Sequence, residues 1–428
     1  MPKIALIGAG SVVFARTLIS DILTFPELRD STIALMDIDQ ERLGLITALT
    51  ERMVAQEGAE TKIQFTLDRH EALRDADYVI IMIQVGGLEM FEVDIKIPLR
   101  YGIDQTVGDT VGPGGVFRGL RTIPVLLEIC RDMRELCPEA LLINYANPMA
   151  INCWAMNEAG GIRNIGLCHS VQGTAMQLAH YIGAPYGEVT CWVAGINHMA
   201  WFLEFKWKGK DAYPLLRAKL EDPEWTADGV RFEVMRHFDY FVTESTHHMS
   251  EYVAYFRQRK ELIEQFATPR WDYLELCQTG WQPHYERIRR QIGGEEPIEI
   301  RPSHEYGIPI IHSLETNTPR RVNANVENTG LITNLPDGCC VEVPCLVDGT
   351  GVRPCYVGDL PAQCAALNRN NINLQELAVK AALTGDWRAT FQAVALDPLT
   401  AAMLSLRQIQ QMVDQLFEAE GKWLPQFH

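Results

Sequence analysis

The amino-terminal stretch constrains this chain more than any other. Lys3-Ile4-Ala5-Leu6-Ile7 is a short apolar run that stops at Gly8-Ala9-Gly10-Ser11, and the helix-like segment Ala15 to Leu23 follows. A strand that feeds a helix through two glycines is the opening unit of a dinucleotide-binding fold. Gly8 and Gly10 permit the tight turn and the close backbone approach that a pyrophosphate needs, and the helix amino end faces its charge. Val13 stands where the third glycine of the usual fingerprint would be. A second apolar run, Thr32 to Met36, ends in Asp37, about where an acid accepts hydrogen bonds from an adenosine ribose. A carboxylate there also repels a 2′-phosphate, which favours NAD+ over NADP+.

Four more runs read as strands: Lys62 to Thr66, Tyr78 to Ile83, Leu141 to Tyr145 and Asn164 to Leu167. Helical patterns separate most of them, notably Arg121 to Leu136. The expected fold is α/β, a Rossmann-type doubly wound parallel sheet with a second α+β domain, in the manner of lactate and malate dehydrogenases. Residues 1–170 are expected to bind the dinucleotide. Residues 171–428 are expected to bind substrate, complete a metal site and mediate oligomerisation. Ligands gather outside the carboxyl ends of strands in such sheets, and Gly8, Asp37, Gly86, Asn147 and Cys168 all stand at those ends. Gly8, Gly10, Ser11, Asp37, Gln84, Gly86 and Asn144 are the expected cofactor-binding residues.

Composition narrows the partners. With 428 residues, 47% apolar and 22% charged, the chain has the material for two globular domains. A net charge of -17 argues against nucleic acid and anionic membrane surfaces. No apolar run approaches the ~20 residues of a bilayer span, and the first residues read as a strand rather than a leader, so a cytoplasmic location is expected. The 11 cysteines show no CxxC spacing, which fits reduced thiols.

Two side chains suggest chemistry. Cys168 and His198 each follow an apolar run, and one thiol with one imidazole can hold a transition metal while leaving positions open, as a catalytic site requires. A buried cysteine and a core histidine are the competing reading. The stretch Asp109 to Gly119, with four glycines, a proline, an acid and Arg118, is expected to be a mobile cover over the cofactor. Glu244 to Tyr252 places titratable side chains at helical spacing, with His248 and Tyr252 four apart on one face. Asn328 to Val347 reads as strand-rich, with a turn at Leu335 to Gly338. Leu374 to Leu383 and Pro398 to Glu420 read as amphipathic helices, and these make a homodimer or homotetramer plausible.

Ile7-Gly8-Ala9-Gly10-Ser11, the Asp109 to Gly115 loop, Asn144-Tyr145-Ala146-Asn147-Pro148, Gly166 to Gly173 and Ala194 to His198 together resemble the NAD- and metal-dependent glycosidases of glycoside hydrolase family four. The likeness runs over essentially the whole chain and is greatest for the bacterial α-galactosidase branch, because Cys-His-Ser-Val at 168–171 resembles the branches that act on unphosphorylated sugars. The resemblance implies Cys168 and His198 as ligands of Mn2+ or another divalent metal, NAD+ at Gly8, Gly10 and Asp37, and substrate contacts from Asn147 and Arg118. His169 occupies the position of the proton donor. The base that is tyrosine in several members falls within His247 to Tyr252, where this sequence departs from the tyrosine-rich pattern; His247, His248 and Tyr252 are the candidates, with Asp109 assisting.

The implied reaction is hydrolysis of melibiose-type α-galactosides by NAD-dependent oxidation at C3, deprotonation at C2, elimination of the aglycone and addition of water, an exception to the two-carboxylate scheme of most glycosidases. An α-glucuronidase or α-galacturonidase of the same family is the nearer alternative, with Arg257, Arg259 and Lys260 as candidate partners for a sugar carboxylate. An NAD-dependent 2-hydroxy-acid dehydrogenase, or a nucleotide-sensing protein without catalysis, is more distant.

Overall fold

The computed structural model describes residues 1–220 and 228–428. Six strands alternate with helices in the first part of the chain: β1 Lys3–Ile7, β2 Thr32–Met36, β3 Lys62–Thr66, β4 Tyr78–Ile81, β5 Leu141–Asn144 and β6 Asn164–Gly166. They pair in parallel in the order β3-β2-β1-β4-β5-β6, the strand order of the doubly wound dinucleotide fold. Helices cover both faces, so β4 and β5 are buried at every residue and their sequences are apolar without alternation. β3 lies at the edge and is mostly exposed.

The remaining strands are β7 Val189–Ile196, β8 Met199–Trp207, β9 Lys210–Asp211, β10 Arg320–Glu327, β11 Cys340–Asp348 and β12 Gly351–Pro354. They extend the same sheet in antiparallel fashion. β10 joins β6 through Asn325 opposite Gly166, β11 runs along β10, and β7 joins β11 through Gly195 opposite Glu342. Two strands that come late in the chain therefore lie between β6 and β7. The principal hydrophobic cluster is continuous from Ile4 to Leu416 across this junction, and a smaller cluster around Phe202, Phe205 and Phe241 lies under the β7–β8 hairpin.

Three expectations change. The segment expected as a mobile cover is buried from Gln105 through Ile123, and from Gly112 it is the start of a helix, Gly112–Leu136. Its glycines serve contact: a Cβ on Gly115 would lie 2.4 Å from the Thr110 carbonyl carbon, and one on Gly114 2.6 Å from the Asp94 carbonyl oxygen. The helix expected over Pro398 to Glu420 is two helices, Pro398–Met403 and Leu406–Glu420. Ser405 divides them because its hydroxyl accepts from the Gln408 amide while Gln408 reaches back to the Ser405 amide, a capping box that starts a helix anew. Residues 328–339 are irregular, and the Asn328 side-chain amide donates to the carbonyls of Ile332, Leu335 and Pro336 in place of a ladder.

A dry ion cluster fastens the carboxyl terminus to the parallel-stranded half. Arg121 donates to both carboxylate oxygens of Asp94, at 2.9 and 2.5 Å, and to Glu420 at 2.8 Å, with all three side chains wholly buried. Its Nε donates to the Val85 carbonyl at 3.0 Å, so the last helix is tied to the turn that carries Gly86. No helix among the described residues is long and apolar enough to cross a membrane.

Candidate active site

The carboxyl end of β1 forms the expected cradle. Gly8 has φ +91° and Gly10 donates its amide to Asp37 Oδ2 at 2.6 Å. A Cβ on Gly8 would meet the Met82 carbonyl at 2.8 Å, and one on Gly10 the Asp37 carboxylate at 2.6 Å. Only glycine fits either place without displacement. Ser11 is exposed and makes no side-chain cap to the helix Val12–Thr24, so the first amides of that helix are open to an anion. Asp37 stands at the end of β2 with its carboxylate on the turn, and Gln84 and Gly86 (φ +81°) follow the adjacent β4. These residues suit a dinucleotide. Asn144 does not face this groove: it is fully buried, and its amide bonds both ways to Ala146 and reaches Met149 Sδ at 3.3 Å. It shapes the turn that presents Asn147.

The second centre lies where the parallel strands give way to antiparallel ones. Cys168 Sγ is 3.2 Å from His198 Nε2, and both residues are buried. Cys168 follows β6, and His198 occupies the two-residue turn between β7 and β8 with φ +62°. Glu244 is also left-handed, at φ +77°. Such non-glycine positions cost on the order of 1–3 kcal/mol and cluster where function over-determines the backbone. His198, Glu244 and His248 present ligand atoms that lie within 4.8 Å of one another. Sulfur, imidazole and carboxylate form a donor set suited to manganese, iron, cobalt, nickel or zinc. The buried His198 Nδ1 has no protein partner, nor has either oxygen of Glu342, which lies fully buried in the same row of the sheet as Gly195.

The helix Thr246–Tyr252 supplies the third side of the site. The His248 ring is centred 4.5 Å from that of His198 and 5.3 Å from that of Tyr252. His248 Nε2 is 3.9 Å from Asp109 Oδ1, and its Nδ1 is 3.7 Å from Glu244. Asp109 accepts from Asn147 Nδ2 at 3.0 Å and from the Thr110 hydroxyl at 2.6 Å. Burial alone would raise its carboxyl, but Arg118, His248 and the Thr110 hydroxyl outweigh it and hold Asp109 below the usual carboxylate range. Burial raises the Tyr252 phenol well above the usual tyrosine range, and Asp109 and Glu244 add to the effect. Its hydroxyl has no protein partner. His247 takes no part in this cluster, because its ring stacks on Trp271 at 6.3 Å. Arg118 lies over the Phe91 ring at 5.3 Å, with Nη1 buried and unpaired.

His169 sits at the lip, with 70% of its side chain exposed, 3.7 Å from Glu305. Its pKa is raised, chiefly through the Cys168 sulfur and against its own burial, with Glu305 adding, while burial pushes the Cys168 thiol itself up. Glu305 is raised by burial, and Tyr145 beyond it packs against Phe14 of the first helix at 4.8 Å, which joins the two centres. Asp109, Asn147, Cys168, His198, His248 and Tyr252 thus converge, while His247 and Asn144 turn elsewhere. Glu244, Glu251 and Glu305 were not singled out by sequence reasoning, since a glutamate in a polar stretch carries no mark of burial; Glu342 was missed although the apolar run Cys339 to Val347 around it marks a buried strand. Arg257 is committed to Ser250 and Asp104, and Arg259 and Lys260 are exposed.

Family models match the two parts of the chain: a family 4 glycosyl hydrolase over residues 3–184, and a family 4 glycosyl hydrolase C-terminal domain over residues 193–400. An alpha-galactosidase of Bacillus subtilis is 44% identical over the full length of both chains. An alpha-galactosidase of Rhizobium meliloti is 39% identical over 99% of this chain and 89% of its own. Among solved structures, lplD of Bacillus subtilis superposes with a TM-score of 0.88 at 28% identity, covering 97% of this chain and 99% of its own. The 6-phospho-beta glucosidase of Thermotoga maritima, with manganese, NAD+ and glucose-6-phosphate, has a TM-score of 0.84 at 22% identity over 99% of each chain. The lactate dehydrogenase of Cryptosporidium parvum shares the fold more loosely, with a TM-score of 0.52 at 13% identity over 90% of this chain and 98% of its own. On these matches, which run through both parts of the sequence, the chain belongs to glycosyl hydrolase family 4.

Proposed function

We propose that this glycosidase is an α-galactosidase acting on unphosphorylated, melibiose-type α-galactosides, with NAD+ and a divalent metal such as Mn2+ as cofactors. The observation that carries the reading is the 3.2 Å approach of Cys168 Sγ to His198 Nε2 on the strand edge that also bears Gly8, Gly10 and Asp37. The two alpha-galactosidase relatives support the sugar, and the Thermotoga structure supports the cofactors. Bound NAD+ and metal would supply transient oxidation at C3 and Lewis-acid stabilisation of charge on the neighbouring oxygens.

The chain's own residues then have distinct tasks. Cys168 and His198 hold the ion, with Glu244 as the nearest further oxygen donor. Gly8, Gly10 and the open amides after Ser11 cradle the pyrophosphate, and Asp37 receives the ribose. Asn147 orients the sugar while bonded to Asp109. His248 is the base that takes the C2 proton: its imidazole lies between the carboxylates of Asp109 and Glu244, 3.9 and 3.7 Å from its two nitrogens. Tyr252 stands beside it, with its buried hydroxyl free of any protein partner and its phenol raised by burial. His169 at the open lip gives a proton to the departing aglycone oxygen.

The test is hydrolysis of an aryl α-galactoside in deuterated water with NAD+ and Mn2+. Galactose deuterated at C2, and no turnover without either cofactor, is the expected result. Hydrolysis that leaves C2 undeuterated and ignores both cofactors would overturn the reading.

A further inference from the structure

Glu251 has no task in the chemistry above, yet it is the most heavily bonded carboxylate near the site. It is fully buried. Its Oε1 accepts the backbone amides of Thr106 and Val107 at 2.6 and 2.8 Å, and its Oε2 accepts the Gly108 amide at 2.9 Å and the Gln105 side-chain amide at 3.3 Å. Three successive amides that converge on one point form an anion nest. Here the anion comes from the chain itself, and Gly108, at φ +57°, lets the backbone curl around it.

Position gives the contact its meaning. The next residue after the nest is Asp109, 3.9 Å from His248 Nε2. Glu251 lies three residues beyond His248 on the same short helix, Thr246–Tyr252. One helix therefore carries both the base and the clamp on the loop that orients the base. A second fastening runs alongside: Arg257 Nη1 donates to Ser250 Oγ at 3.1 Å, and its Nε donates to the Asp104 carbonyl. The loop is also bonded outward, where Tyr273 donates its amide to the Thr106 carbonyl at 2.8 Å. None of these contacts supplies an acceptor to the amides of 106–108.

We propose that Glu251 is a positioning residue: its carboxylate fills the amide nest of residues 106–108 and so fixes the register of Asp109 against His248. The role rests on the assignment of His248 as base under the proposed function. Without the carboxylate, three buried amides lose their acceptor, and the loop must shift to find others. A displacement of about 1 Å at an orienting group costs on the order of 10²-fold in rate.

The test uses the full chain with NAD+ and Mn2+. In Glu251→Ala, kcat for an aryl α-galactoside should fall on the order of 10²-fold, with NAD+ affinity close to wild type and a larger isotope effect for substrate deuterated at C2. Added formate, which fits the emptied nest, should restore much of the loss, whereas chloride at equal ionic strength should not. Amide hydrogen exchange at Thr106, Val107 and Gly108 should quicken in the variant and slow again with formate. Unchanged kcat, or lost kcat with those amides still protected, overturns the proposal. If Glu251→Ala does not fold, the isosteric Glu251→Gln decides: it should lose kcat and Gly108 protection, and wild-type behaviour in both sinks the idea. If the wild-type chain hydrolyses no α-galactoside, the functional reading fails, and the exchange and formate arms still decide whether the clamp exists.

Discussion

Replacing Glu420 with glutamine should make the protein more stable at neutral pH, although the side chain is buried and ion-paired. The reason lies in the charge count of the cluster: two carboxylates, Asp94 and Glu420, share one guanidinium, Arg121. Asp94 holds both of its oxygens on Arg121, whereas Glu420 makes one bond to it and also meets Asp94. Burial, and then the charge of Asp94, hold Glu420 well above the usual carboxylate range, so Glu420 keeps the proton. An unfolded glutamate titrates near ~4.3. Above that pH, unfolding releases a proton that the native state retains, so stability falls with rising pH by about 1.4 kcal/mol per unit. The stabilisation is complete below the unfolded pKa and is lost progressively up to the folded one. Glutamine keeps the volume and a donor toward Asp94 but carries no such proton. Urea denaturation of both proteins from pH 5 to pH 7 should therefore show the difference opening in favour of Glu420→Gln as pH rises, by no more than about 1.4 kcal/mol per unit, while other titrating groups cancel. Arg121→Met should instead cost about 3–5 kcal/mol, since it strands the buried charge of Asp94. A wild-type-minus-variant difference that is flat with pH, or that favours wild type as pH rises, would refute the protonated assignment.

Two further outcomes concern the ligand sites. Cys168→Ser should weaken Mn2+ binding, followed calorimetrically, by more than about 100-fold, because loss of even an outer-shell partner costs 10–100-fold; unchanged Mn2+ affinity would remove Cys168 from the metal site. Gly10→Ala should raise the NAD+ dissociation constant about tenfold or more, equivalent to ~1.4 kcal/mol, because the new Cβ would lie 2.6 Å from the Asp37 carboxylate; fluorescence titration with NADH reads this, and an unaltered constant would show that Asp37 moves freely.

Five of the six parallel strands were legible as short runs that end in a glycine or polar turn, β3 showed only an alternating pattern, and both glycines of the first turn sit where a Cβ cannot. The Cys168 and His198 pair was legible as a juxtaposition of residue types. The partners that complete the site were not. Glu244 and Glu251 lie in a polar stretch whose spacing fits a solvated helix equally well; what holds Glu251 in the interior is a loop some 140 residues earlier in the chain. The run from Gly112 to Gly119 misled because glycine marks both flexible loops and backbones pressed together, and here Gly114 and Gly115 do the second. The pairing of β10 with β6 has no local signature, since one residue pair, Asn325 with Gly166, makes the junction.

That junction governs how the site is made in a cell. The spacing between Cys168 and His198 depends on two strands, residues 320–348, that are synthesised long after both. During translation the nucleotide half can collect its parallel strands and helices early, as domains commonly do. Cys168 and His198, however, sit just past β6 and in the β7–β8 turn, and β10 and β11 lie between those strands, so their separation is set only once these late strands are in place. Closure over such sequence distances is slow, so a nascent chain that met a soft metal at Cys168 early would hold it without its imidazole partner.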